Sequence, residues 1–150
     1  MDKIESFKID HNKLSEGIYL SRVDGDIYTY DLRTRKPNTN DLMDNATMHS
    51  LEHMFATFVR NGEIKEKVIY FGPMGCQTGF YLLVRSADDK EVERVVKQTL
   101  EKIIAYDGEM FGASAVECGN YKNLSLELAK KESKRYLDIL NSKVNTFLYD

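Results

Sequence analysis

From Ala46 to Val59 the apolar side chains recur at three- and four-residue steps: Ala46, Leu51, Met54, Phe55, Phe58 and Val59. That period predicts an amphipathic helix, and Asn61-Gly62 ends it with residues suited to a left-handed cap. The opposite stripe carries His49, Glu52, His53, Ala56 and Arg60. Elsewhere the pattern shortens. Gly17–Val23 and Asp26–Arg33 read as strands with alternating Ile18, Leu20, Ile27 and Tyr30, and Asp24-Gly25 between them signals a hairpin. Lys67–Phe71 and Phe80–Arg85 read as two more strands, around a glycine-rich loop. Pro37 and Asn38–Asn40 make a loop before the first helix, and Gly108–Gly119 is a loop of small residues. Asp88 or Asp89 caps a second helix with Val92, Val95, Val96, Ile103 and Ile104 on one stripe. A third helix, Leu126–Asn141, buries Leu128, Ala129, Tyr136, Leu137 and Leu140 and turns its Lys130–Arg135 charge run to solvent. Strands followed by separated helices imply an α+β fold, a two-layer sandwich with helices on one face of a mostly antiparallel sheet.

Composition narrows the class. The chain has 150 residues and 17.3 kDa, with 42% hydrophobic and 30% charged residues, as in an ordinary globular protein. Residues 1–150 form one expected domain, able to bury roughly 70% of the unfolded surface. A net charge of −3 and a pI near 5.7 supply no basic field for nucleic acid or an anionic membrane. No stretch approaches the roughly 18–20 apolar residues of a membrane helix, and Met1–Ser6 has no apolar signal core. Two cysteines in separate settings point to reduced thiols and a cytoplasmic protein.

The candidate chemistry lies on the polar stripe of the first helix. His49-Ser50-Leu51-Glu52-His53 sets two imidazoles one turn apart with a carboxylate beside them. Two surface histidines on an amphipathic helix are the plainer alternative. The metal reading is favoured because these are two of only three histidines and Glu52 lies between them. Gly72–Gly79 carries Cys76 where backbone N–H groups could stabilise a thiolate or an oxyanion, against the plainer reading of a tight turn with an incidental cysteine. Glu117-Cys118-Gly119 holds the other cysteine. Two His and one Cys make a three-ligand set with an open fourth position, the pattern of a catalytic metal, and by spacing either cysteine could complete it. Softness alone suggests zinc, with iron(II) and cobalt(II) also compatible.

Taken in order, five motifs resemble one family. His-x-x-Glu-His at 49–53, Pro-Met-Gly-Cys-x-Thr-Gly at 73–79 and Cys118-Gly119 resemble the S-ribosylhomocysteine lyase (LuxS, autoinducer-2 synthase) family. Glu5-Ser6-Phe7-x-x-Asp10-His11 and Asp31-x-Arg33-x-x-x-Pro37-Asn38 extend the likeness over nearly the whole chain. The resemblance implies that His49, His53 and Cys118 hold the metal and that Glu52 and Cys76 act as the acid–base pair. It places Ser6, His11, Arg33 and Arg60 on the substrate. Such an enzyme moves the sugar carbonyl of S-ribosylhomocysteine by successive proton shifts, through enediolates that need a Lewis acid, until β-elimination expels homocysteine. The other product, 4,5-dihydroxy-2,3-pentanedione, is the autoinducer-2 precursor. The resemblance favours iron(II), in a site that zinc can occupy, and a homodimer whose N-terminal arm, bearing Ser6 and His11, completes the partner's pocket. The family often has an acidic residue six positions before the loop cysteine, holding the substrate amino group, where this chain has Tyr70.

Two rivals carry different expectations. An inverted-zincin metallopeptidase also reads as His-x-x-Glu-His, but needs a distal carboxylate as third ligand and leaves both cysteines without a role. A metal-sensing or storage domain predicts tight metal binding without thiol release, and leaves Glu52 unexplained.

Overall fold

The computed structural model describes residues 1–150. Four strands, β1 (Gly17–Asp24), β2 (Ile27–Arg33), β3 (Val68–Pro73) and β4 (Gly79–Arg85), form one antiparallel sheet in the order β1-β2-β4-β3. Three helices, α1 (Asn45–Arg60), α2 (Asp89–Ala105) and α3 (Leu126–Asn141), pack against it, giving the expected α+β sandwich. No helix is long and apolar enough to cross a membrane.

The register explains the layering. Leu20, Tyr30, Leu82 and Phe71 lie across from one another, as do Ile18, Leu32 and Phe80, and the fully buried members of these rows enter the main core. The alternate residues, Tyr19, Asp31, Tyr81 and Gly72, share the other face. The β1–β2 turn is the two-residue Gly25-Asp26 loop, since Asp24 pairs with Ile27. The C-terminal segment returns to β1, where the Leu20 N–H donates to the Phe147 carbonyl at 2.9 Å.

Each helix begins on a side-chain cap: Asp44 accepts from the Thr47 N–H, Asp88 from Lys90 and Ser125 from Leu128. The three helices bury the stripes their sequences mark, with Ala46, Phe58, Ile104 and Leu128 only half-buried. Two expectations are corrected. Asn61 does not adopt a left-handed cap: its φ is −114°, and its side-chain amide instead donates to the Thr57 carbonyl at 2.7 Å. The Lys130–Arg135 run is not wholly solvated, because Glu132 is 2% and Ser133 0% exposed. Glu132 is drawn inward by Arg35, whose Nε and Nη2 donate to its two oxygens at 3.0 and 2.6 Å.

Candidate metal centre and the adjoining thiol pocket

The helical spacing of α1 alone brings the two imidazoles together, with ring centroids 4.6 Å apart and planes perpendicular. The loop before α3 supplies the third group. Cys118 Sγ lies 3.3 Å from His49 Nε2, and one ligand atom from each of His49, His53 and Cys118 falls within 4.8 Å of the others. The outer nitrogens are occupied. His53 Nδ1 donates to the Phe111 carbonyl at 2.9 Å, and His49 Nδ1 donates to Asn123 Oδ1 at 2.6 Å. Both rings therefore turn Nε2 inward with its lone pair free, as a metal ligand requires. The Phe111 contact depends on Gly112, whose φ is +67° and where a Cβ would sit 2.8 Å from His53 Nδ1. Three half-buried donors of this softness, gathered from two separate segments, fit one divalent ion with an open position. The third donor is a thiol and not a distal carboxylate, so the inverted-zincin reading is not supported.

Glu52 stands on the same face of α1, in a cleft lined by His49, Asn45, Met48, Pro73 and Asn120. The carboxylate thus opens onto the space beside the metal centre. Pro73 is the wall shared with a second pocket, of about 510 Å³, which holds Cys76, Arg33, Ser6, His11 and Tyr81. Within one chain the sequence-predicted residues therefore form two neighbouring groups, His49–Glu52–His53–Cys118 and Ser6–His11–Arg33–Cys76.

Cys76 is exposed at the tip of the β3–β4 loop. Its Sγ partners are not backbone N–H groups, as the glycine-rich loop suggested. They are the Thr78 hydroxyl at 3.0 Å and the Arg33 guanidinium at 3.8 Å. Arg33 is only 2% exposed, far from the surface salt-bridge partner that a strand arginine usually is. Its Nε and Nη2 donate to Asp31 at 3.1 and 2.7 Å, and Nη1 donates to Thr78 Oγ1 at 2.8 Å. Burial works against the guanidinium charge, but the charge and hydrogen bonds of Asp31 outweigh it and leave the Arg33 pKa raised. Arg33 is thus a fixed cation between a buried carboxylate and the thiol. Tyr149 closes this group from the C-terminal segment, stacking on Tyr19 at 4.8 Å and donating to Asp31 Oδ2 at 2.7 Å.

Two candidates lie apart. Arg60 lines neither pocket, and its Nη2 donates to the Ile69 carbonyl at 2.6 Å. Tyr70 is 51% exposed and folds over Gly72, where a Cβ would stand 2.0 Å from its hydroxyl. In this rotamer the Tyr70 ring occupies the space that a side chain at 72 would need. Sequence reasoning missed Asn123, Phe111, Thr78 and Tyr149. Only Thr78, inside the loop motif, carried a usable signal.

Comparison with known proteins identifies the family. The chain matches the family described as S-Ribosylhomocysteinase (LuxS) over residues 4–146. It is 48% identical over 147 residues to an S-ribosylhomocysteine lyase of Finegoldia magna, spanning 95% of this chain and 94% of that one. It is 46% identical to the S-ribosylhomocysteine lyase of Borreliella burgdorferi strain ZS7 over 148 residues, again 95% and 94% of the two chains. With that of Clostridium beijerinckii it shares 39% over 157 residues, 99% of each chain. This chain, with its two histidines on α1 and its thiol from the α2–α3 loop, belongs to the LuxS, or S-ribosylhomocysteinase, family.

Proposed function

We propose that this chain is an S-ribosylhomocysteine lyase, a carbon–sulfur lyase that releases homocysteine and 4,5-dihydroxy-2,3-pentanedione. One observation carries the reading: two histidines and a carboxylate on the α1 face meet Cys118 from the α2–α3 loop, next to a pocket with a thiol held by a buried arginine. When bound, a divalent ion supplies a Lewis acid for the sugar oxygens; the proposed working ion is iron(II), with zinc or cobalt(II) able to take the same ligands.

The chain's own groups divide the proton transfers. Cys76 Sγ, beside the Arg33 cation, takes and returns protons in the early carbonyl shifts from C1 towards C3. Glu52 serves the later transfers and finally takes the proton from C4. The C4–H electrons become the C4–C5 double bond, the C5–S bond breaks, and homocysteine leaves as its thiolate. Ser6, His11 and Arg33 are assigned to the substrate because they line the Cys76 pocket. Arg60 is assigned there by the family pattern, and would have to exchange its Ile69 contact for the ligand.

The proposed assembly is a homodimer with two active sites at the interface. The sheet face bearing Tyr19, Tyr81 and Tyr70 is the one opposite the helix-packed core face, and a second copy would cover it. The N-terminal arm, bearing Ser6 and His11, would then complete the partner's pocket. Both cysteines are unpaired, consistent with the cytoplasmic location proposed for the enzyme.

The decisive test is anaerobic incubation of the iron(II)-loaded protein with S-ribosylhomocysteine, following free thiol. Release of one thiol per substrate is expected, and none from peptides. Loaded protein that binds the ion and releases no thiol refutes the lyase reading. A fully active monomer in analytical ultracentrifugation at assay concentration refutes the dimer.

A further inference from the structure

A polar arrangement left unused by the reaction lies behind His49. Asn123 sits in a 3-10 turn, Tyr121–Asn123, just ahead of α3, while Asn45 is the first residue of α1. Asn123 Oδ1 meets His49 Nδ1 at 2.6 Å, and Asn123 Nδ2 donates to Asn45 Oδ1 at 2.6 Å. We propose that Asn45 and Asn123 form a two-amide relay that positions His49 for the metal by fixing its tautomer. Neither asparagine would touch the ion or the substrate, so both are positioning residues.

The logic follows from what each atom can do. A carboxamide oxygen only accepts, so His49 Nδ1 must carry the proton and Nε2 must present its lone pair. Nε2 is the nitrogen that lies 3.3 Å from Cys118 Sγ, in the ligand set. A carboxamide, however, can turn over. Flipped, Asn123 would donate to Nδ1, put the proton on Nε2 and block the ligand atom. Asn45 opposes a flip of Asn123 alone, because its oxygen accepts from the Asn123 amide, so the two amides would have to turn over together to expose Nδ2 to the imidazole. His53 needs no such guard, since its Nδ1 meets the Phe111 backbone carbonyl, which cannot exchange donor for acceptor. One ligand is thus fixed by the main chain and the other by two side chains. An outer partner of this kind is worth about 10–100-fold in metal affinity.

The inference rests on the metal reading of His49, His53 and Cys118, and the experiment separates the two. The full-length chain and its variants are titrated with zinc in competition with a chelator of known affinity, and the cobalt(II) spectrum is recorded for each. Asn123→Leu, with no acceptor, is expected to weaken zinc binding by about 10–100-fold. Asn123→Asp, whose carboxylate can only accept, is expected to bind at least as tightly as the parent. Asn45→Ala weakens binding when residue 123 is Asn, and has little effect when it is Asp, because a carboxylate has no wrong orientation to prevent. A purely structural role moves Leu and Asp variants alike. Nitrogen-15 spectra of metal-free protein add a second readout, with His49 in the Nδ1–H form in the parent and its Nε2–H form gained in Asn123→Leu. If Asn123→Leu does not fold, the Asn45→Ala comparison in the two backgrounds decides alone. Equal zinc affinity across the set, or equal losses for Leu and Asp, overturns the relay while the metal site stands. A parent that binds neither zinc nor cobalt refutes the metal reading itself.

Discussion

Replacing Asp31 by Asn is expected to destabilise the protein far more than a strand polar substitution ordinarily does. Asp31 is 1% exposed and accepts three hydrogen bonds, from Arg33 Nε at 3.1 Å, Arg33 Nη2 at 2.7 Å and the Tyr149 hydroxyl at 2.7 Å. Asn keeps the shape but offers one acceptor oxygen, turns an amide towards a donor, and leaves the Arg33 cation uncompensated. Breaking one partner out of a buried ion pair costs about 3–5 kcal/mol. Tyr149→Phe removes only the third bond, a neutral donor to a charged acceptor, for about 1.5–3 kcal/mol. Burial and then the Asp31 carboxylate push the Tyr149 phenol well up, so it remains a donor throughout the neutral range. Urea unfolding at fixed protein concentration reads both. With a slope of about 2 kcal/mol per molar, Asp31→Asn lowers the midpoint by roughly 2 M and Tyr149→Phe by roughly 1 M. In the double variant the losses should not add, because both act on one carboxylate. Midpoints unchanged within about 0.3 M for both variants would show that the pair is hydrated, and that Arg33 does not depend on Asp31 for its position.

Three further outcomes are expected. His49→Ala and His53→Ala lose metal and thiol release together, whereas Glu52→Gln keeps the ion and the fold and releases no thiol; metal analysis beside the thiol assay distinguishes them, and full activity in Glu52→Gln would assign the later transfers elsewhere. In cobalt(II)-loaded protein the thiolate charge-transfer band should survive Cys76→Ala, which cannot turn over, and vanish in Cys118→Ala; the reverse pattern would exchange the two cysteines' roles. Asp44→Ala should cost about 1 kcal/mol through the lost α1 cap. The Thr47 hydroxyl and then its backbone N–H hold the Asp44 carboxyl below its usual range, so this contribution is present above the unfolded pKa of about 3.9 and fades as pH falls through the lower folded value. A stability difference between parent and Asp44→Ala that persists unchanged down to pH 2 contradicts that assignment.

What the sequence made legible follows the range of the interactions involved. The α1 face was readable because helical spacing alone puts Glu52 beside the two imidazoles, and α3 was readable because the Leu128–Leu140 stripe is a local signal. Recruitment of Cys118 was not legible in the same way: either cysteine satisfied the count, and only the path of the α2–α3 loop brings one of them to 3.3 Å from His49. Glu132 was misread as solvated because its inward turn is imposed by Arg35, 97 residues away. Arg33 shows a third case. Its carboxylate partner stands two residues earlier on the same strand face, a spacing visible in the sequence, yet that carboxylate is also held by Tyr149, which folds back from 118 residues beyond Asp31. The pairing of the two candidate histidine ligands follows from local periodicity, but Asn123 behind His49 and Tyr149 behind the Asp31–Arg33 pair come from the chain's later third. Those positions carry no motif of their own. Variation among otherwise similar chains at 45, 123 and 149 is therefore where differences in metal affinity and thiol reactivity should arise while every ligand and acid–base residue stays the same.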